Sequence, residues 1–130
     1  MKDLMFILPY EPGTLWRLTD VIANGGVNVE GCSAQEFGPE GVIHLLVADA
    51  AAARRAADQA GFAHRAERDV IVAPIADRPG GLAGLLRPIA EAGIDVNLVY
   101  LTTNGSVVIG ADDLERARAA LGEPRAGGGT

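Results

Sequence analysis

Apolar and polar positions alternate along this chain in two rhythms, and the whole pattern comes round twice. Leu4 to Leu8 is a short apolar run closed by Pro9, the pattern of a buried strand. Leu15, Leu18, Val21 and Ile22 then recur at helical spacing. Their helix is opened by Pro12, whose missing N–H costs nothing in a first turn, and is stopped by Asn24-Gly25-Gly26. Val27 to Phe37 reads as a second strand interrupted by Gly31, Gly38 to Gly41 as a turn, and Val42 to Ala48 as a third strand. Asp49 is a good N-cap for the alanine-rich helix Ala50 to Ala60, which Gly61 ends, and the more polar Phe62 to Arg68 makes a fourth strand. The order is β-α-β-β-α-β, the split βαβ pattern of a ferredoxin-like layer.

The second round starts at once. Asp69 to Ile75 is its first strand, and Pro79 to Ala92 its first helix with Gly93 as the stop. Ile94 to Leu101 and Ser106 to Gly110 follow as strands joined through Thr103-Asn104-Gly105. Asp112 or Asp113 caps a last helix that Gly122 ends, and no fourth strand follows it. The fold class is therefore α/β of the α+β kind: two ferredoxin-like βαββαβ repeats, each an antiparallel sheet with helices on one face, the second lacking its last strand. The predicted divisions are a first repeat at 1–68, a second at 69–121 and a flexible, Pro- and Gly-rich tail at 122–130. Pro74 would sit centrally in a complete second sheet, where it removes a ladder donor, but at an edge if the fourth strand is missing. Pro88 falls inside the helix opened by Pro79 and predicts a kink.

The repetition is also literal. Glu11-Pro12-Gly13-Thr14-Leu15 is followed, eleven residues past Leu15, by Gly26-Val27-Asn28-Val29. Arg78-Pro79-Gly80-Gly81-Leu82 is followed at the same spacing by Gly93-Ile94-Asp95-Val96, and the offset between copies is 67 residues at both the proline and the later glycine. Such repetition dictates architecture. Each half is too small to bury a good core alone, so the two are expected to pack together, with their Pro-Gly loops related by a pseudo-twofold axis. The short sheets leave edges that need protection, which predicts a homodimer.

Composition narrows the function. The 130 residues are 48% hydrophobic, enough for one shared core, with 11 Lys and Arg against 17 Asp and Glu for a net charge of −6. No dense basic run exists to meet a phosphate backbone, which argues against nucleic-acid binding. No apolar run approaches membrane-spanning length, and the N-terminus lacks a leader pattern, so a soluble cytoplasmic protein is expected, with no membrane partner. Cys32 stands alone and reads as a small buried hydrophobe in a strand. His44 lies in an apolar strand and reads as a satisfied core or interface histidine. With it and His64 as the only histidines, no zinc-type ligand set can be assembled, and neither metal nor cofactor is expected. No serine has a nucleophile-elbow context and no glycine-rich run completes a phosphate loop, so no catalytic residue is assigned.

The pattern polar-x-Pro-Gly-x-Leu, then Gly-[Val/Ile]-Asn-[Ile/Val] in a βαββαβ frame, resembles an ACT domain. It stands here as Tyr10 to Leu15 with Gly26 to Val29, and again as Asp77 to Leu82 with Gly93 to Val96. The likeness covers the chain to about Leu121 and is similar to the small stand-alone tandem ACT proteins. It implies a regulatory protein that binds a free amino acid or similar small molecule, at an interface between ACT units beside the loop joining first strand to first helix. It also implies a partner enzyme or regulator that responds.

The chemistry of those loops suits an amino acid on its own terms. A helix N-terminus offers unpaired N–H groups and partial positive charge to an α-carboxylate. Gly13, or Gly80 with Gly81, lets a ligand approach the backbone, and Thr14, Leu15, Arg78 and Leu82 complete the two loops. Glu11, Asn28, Asp77, Asp95 and Asn97 can supply oxygens to an ammonium. By resemblance Asn28 matches an asparagine that often touches ligand. Its repeat mate is Asp95, and Tyr10 is matched by Asp77, so the two sites are not equivalent. A turn-only reading stands beside this one, because Pro-Gly is also what a tight turn needs. Two other functions compete. One is a metal-dependent enzyme of the glyoxalase and bleomycin-resistance type, whose βαβββ modules carry one helix each. The other is a regulatory subunit of a larger biosynthetic enzyme that itself binds nothing.

Overall fold

A computed structural model describes residues 1–122; the predicted tail lies outside the described residues from position 123 onward. The chain divides into two compact units, Met1–Asp69 and one that begins at Val70.

The first unit contains β1 (Lys2–Pro9), α1 (Thr14–Asn24), β2 (Gly31–Phe37), β3 (Glu40–Val47), α2 (Ala50–Gln59) and β4 (Ala66–Asp69). Its four strands form an antiparallel sheet in the order β2-β3-β1-β4. Side chains alternate across a strand, so Leu4, Phe6 and Leu8 of β1 share one face with Ile43, Leu45 and Val47 of β3. Leu18 and Ile22 of α1 and Ala50, Ala53 and Ala57 of α2 close over that face, and all eleven side chains are buried. The small residues let the helices approach: a Cβ on Gly25 would stand 2.7 Å from that of Ala56. On the charged edge, Lys2 Nζ lies 3.0 Å from Asp69 Oδ1, and this bond raises the lysine pKa above its usual 10.5.

The second unit contains β5 (Ile71–Pro74), α3 (Gly81–Glu91), β6 (Val96–Leu101), β7 (Ser106–Ala111) and α4 (Leu114–Ala120). Its sheet is antiparallel with the order β5-β7-β6. Ile71, Ala73, Val107, Ile109 and Ala111 meet Ile89 of α3, Ala117 of α4 and Ile94 in its core. Among the described residues β5 pairs only with β7, so the strand holding Pro74 is an edge, and Pro74 is its last residue, opposite Ser106. Two helices per unit set this architecture apart from the single-helix βαβββ modules of the glyoxalase type.

Local details depart from the sequence reading. Pro12 and Pro79 do not open helices; α1 starts at Thr14 and α3 at Gly81, after a turn that uses each Pro-Gly pair. The second strands start later than expected, at Gly31 and Val96, because Val27 and Ile94 fold back instead to donate N–H to Ile22 and Ile89 at the helix ends. Asp69 closes β4 rather than opening β5. Cys32 is exposed, not buried: it lies on edge strand β2, which has no neighbour on its outer side among the described residues. Its surroundings still desolvate the thiol enough to push its pKa above 9.0. Pro88 is accommodated within α3, which runs from Gly81 to Glu91 without a break.

Candidate functional site

Each Pro-Gly pair folds as a type II turn between strand and helix, with proline at the second position and glycine at the third. Gly13 has φ 93° and ψ −9°, and the Thr14 N–H donates to the Glu11 carbonyl at 3.1 Å. Gly80 has φ 84° and ψ −4°, and the Gly81 N–H donates to the Arg78 carbonyl at 3.0 Å. Only glycine takes such positive φ without strain, which explains the conserved geometry of the two copies within this chain.

The fourth turn position separates them. In the first loop the buried Thr14 hydroxyl donates to the Pro9 carbonyl at 3.0 Å and accepts from the Glu11 N–H at 3.3 Å. In the second loop Arg78 N–H donates directly to the Ala76 carbonyl at 3.0 Å. That carbonyl occupies the space where a Cβ on Gly81 would stand, so no threonine could replace it there. Thr14 and Gly81 therefore serve the loops' own architecture.

The helices that follow these loops start without a side-chain cap, whereas the other two are capped. Asp49 accepts from the Ala52 N–H at 3.0 Å and Asp113 from the Arg116 N–H at 3.1 Å. At α1 the N–H groups of Leu15 and Trp16, and at α3 those of Leu82 and Ala83, find no acceptor among the described residues. Such groups can receive an anion.

Each loop opens on a depression. The first, about 310 Å³, is lined by Tyr10, Glu11, Pro12, Gly13, Leu15, Trp16 and Glu36. The Tyr10 ring lies against Gly41, where any Cβ would collide with it, and the Tyr10 N–H donates to the Pro39 carbonyl at 2.9 Å. The charged residues of its walls are Glu11 and Glu36; Arg17 pairs with Glu11 at 3.9 Å, and its guanidinium lies against Gly13, 2.9 Å from where a Cβ would stand. The second, about 350 Å³, is lined by Ile75, Ala76, Asp77, Arg78, Leu82, Leu101, Thr102 and Gly105. It joins one acid and one base to an apolar wall.

The structure thus brings Tyr10, Glu11, Gly13 and Leu15 together in one depression, and Asp77, Arg78 and Leu82 in the other. Asn28, Asp95 and Asn97 line neither. Asn28 donates to Glu30 at 3.2 Å, Asn97 donates to Asp112 at 2.8 Å beside an irregularity in β6, and Asp95 is exposed. Sequence reasoning did not place Trp16 and Glu36 in the first wall, nor Ile75, Leu101, Thr102 and Gly105 in the second. Glu36, Leu101, Thr102 and Gly105 come from the β2–β3 and β6–β7 hairpins, each of which folds back to the loop of its own unit. The matched hairpins of the two repeats were the available signal.

His44 is satisfied as expected: its Nδ1 lies 2.8 Å from Asp3 Oδ2, and Asp3 is almost fully buried. Among the described residues no three His, Cys, Asp or Glu side chains are grouped to hold a metal ion. No helix of the described residues is long and apolar enough to cross a membrane.

No protein-family model and no curated protein sequence matches the chain. Solved structures do. The protein BT0572 from Bacteroides thetaiotaomicron is 25% identical, with a TM-score of 0.82 over 93% of this chain and 85% of that one. The regulatory subunit of aspartate kinase from Thermus thermophilus, in a ligand-free form, is 22% identical with a TM-score of 0.65 over 93% and 88%. The corresponding subunit from Thermus flavus is 20% identical with a TM-score of 0.62 over 93% and 89%. The chain has a duplicated ferredoxin-like fold in common with these regulatory subunits. That fold is the tandem ACT-domain fold.

Proposed function

We propose that this protein is a non-catalytic regulatory module that binds a free amino acid at the Asp77–Leu82 loop and signals its presence to a partner enzyme or regulator. The observation that carries this reading is the second depression, where Asp77 and Arg78 flank the uncapped start of α3. An α-carboxylate would meet the Arg78 guanidinium and the free N–H groups of Leu82 and Ala83, and an α-ammonium would meet Asp77. Ile75, Leu82 and Leu101 would then face the ligand's side chain, which favours an apolar amino acid. The first depression offers a weaker site, because two carboxylates, Glu11 and Glu36, line it, and the guanidinium beside it, Arg17, is already paired with Glu11. Asn28, Asp95 and Asn97 take part only if the ligand extends beyond the depressions. The Thermus proteins that share this fold are regulatory subunits of aspartate kinase, which supports a regulatory role here.

A thermal-shift screen against the amino acids tests the reading. A ligand present at about 100 times its dissociation constant stabilises the fold by about 2.7 kcal/mol, an easily measured rise in melting temperature. A screen in which no amino acid shifts the melt favours the subunit that binds nothing.

A further inference from the structure

We propose that the segment Ala76–Arg78 is a flap that closes against the β6–β7 hairpin when the second depression fills, the bound amino acid supplying a link that Tyr10 supplies permanently in the first loop. The inference rests on the reading of that depression as an amino-acid site and adds how its occupancy is conveyed.

The two loops leave their sheets differently. In the first unit β1 stays paired with β3 through Leu8, opposite Gly41, and Pro9, opposite Glu40. The next residue, Tyr10, donates its N–H to the Pro39 carbonyl at 2.9 Å, and its ring covers Gly41. Loop and hairpin are thus fastened together up to the Pro-Gly turn. In the second unit the 67-residue repeat makes Pro74 the mate of Ile7, and the two sit opposite Ser106 and Val42. There the second ladder ends. Ile75, Ala76 and Asp77, the mates of Leu8, Pro9 and Tyr10, pair with no strand among the described residues, and the Asp77 N–H finds no acceptor there. The shorter hairpin is the cause. Gly105 stands where Gly41 does but already belongs to the turn, with φ 82° and its N–H directed back to the Thr102 carbonyl at 3.4 Å. Asp77 brings no ring to lie on it, and a Cβ built on Gly105 would meet nothing within 4 Å.

The backbone bonds of the segment stay within its own loop: Arg78 N–H donates to the Ala76 carbonyl and Gly81 N–H to the Arg78 carbonyl, both at 3.0 Å. The Ile75 side chain packs on the core at one end and α3 holds the other, while Ala76, Asp77 and Arg78 between them are exposed. Backbone with few buried contacts and no ladder rearranges at low cost. Asp77 and Arg78 stand on one side of the depression, and Leu101, Thr102 and Gly105 of the hairpin on the other. An amino acid held by the first pair also meets the hairpin, so it binds the closed arrangement better than the open one and shifts the population toward closure. Closure covers Leu82 and Leu101, which are 38% and 62% exposed, so a partner meets a different face when the site is filled.

Residue-resolved amide hydrogen exchange of the full chain tests this, with and without a millimolar mixture of L-valine, L-leucine, L-methionine and L-phenylalanine, beside the melting temperature under the same conditions. Without amino acids the Asp77 amide is expected to exchange near the rate of an unstructured peptide, and the Tyr10 amide to be protected. With them, the amides of Asp77, Thr103 and Asn104 are expected to slow by about tenfold or more while that of Tyr10 is unchanged. A melting temperature raised by the mixture without slowing at Asp77 overturns the flap and leaves the amino-acid site standing. An Asp77 amide as protected as that of Tyr10 before any amino acid is added overturns the flap outright. A melting temperature that none of the four amino acids raises removes the apolar amino-acid reading, and the flap falls with it.

Discussion

At position 14 a buried threonine hydroxyl links two backbone groups that the first turn would otherwise leave unpaired, the Pro9 carbonyl and the Glu11 N–H. At the matching position 81 the backbone makes that link unaided, and the side chain has to vanish. Thr14→Val keeps the shape but strips both partners, and is expected to destabilise the protein by about 1–3 kcal/mol in urea melts. Gly81→Ala forces a methyl onto the Ala76 carbonyl oxygen and is expected to cost about 1–3 kcal/mol through overpacking. Cys32 gives a different kind of residue-level expectation. Its thiol is accessible, but its raised pKa leaves little thiolate near neutrality. Iodoacetamide should therefore alkylate it more slowly than an unstructured peptide thiol at the same pH. Its exposure could not be read from the sequence, because a cysteine in an alternating strand looks the same whether that strand is central or at an edge.

Among the elements, the sequence was most informative where the signal is local. Asp49 was recognisable as a cap because a short acid before an alanine-rich run has one good use there; for the last helix the sequence left Asp112 and Asp113 open, and the structure chooses Asp113. The element order was legible because apolar spacing switches between strand and helix periods, with glycine marking the stops. Helix starts were misplaced by two residues. A proline suits both the first helical position and the second position of a turn, and the glycine after it decides for the turn. Pro88 shows propensity overridden by packing: α3 continues through it, with Ile89 fully buried next to it. The ring still removes a backbone donor to Gly84, so Pro88→Ala is expected to raise stability, by up to about 3 kcal/mol. A melting temperature equal to or below that of the parent would show that the ring's own packing outweighs the lost bond.

On the scale of the whole molecule, the 67-residue repeat was what made the fold readable, since it required two similar units whatever their exact boundaries. It also pointed to the loops. It could not reveal that one depression holds two carboxylates and the other an acid–base pair, because Glu36 and Leu101 reach the walls from hairpins far along the chain. Asn28, Asp95 and Asn97 looked equally eligible in sequence, yet their side chains lie outside both walls. That difference between the depressions is the central claim, and calorimetric titration of the amino acid that gives the largest thermal shift tests it most directly. Asp77→Ala and Arg78→Ala are both exposed changes, and each is expected to weaken binding by about 1.5–3 kcal/mol, the worth of a hydrogen bond to a charged group. Glu11→Ala and Glu36→Ala should leave the affinity at the parent value. If the Asp77 and Arg78 variants bind as tightly as the parent, the second loop is not the site and its Pro-Gly pair serves the turn alone.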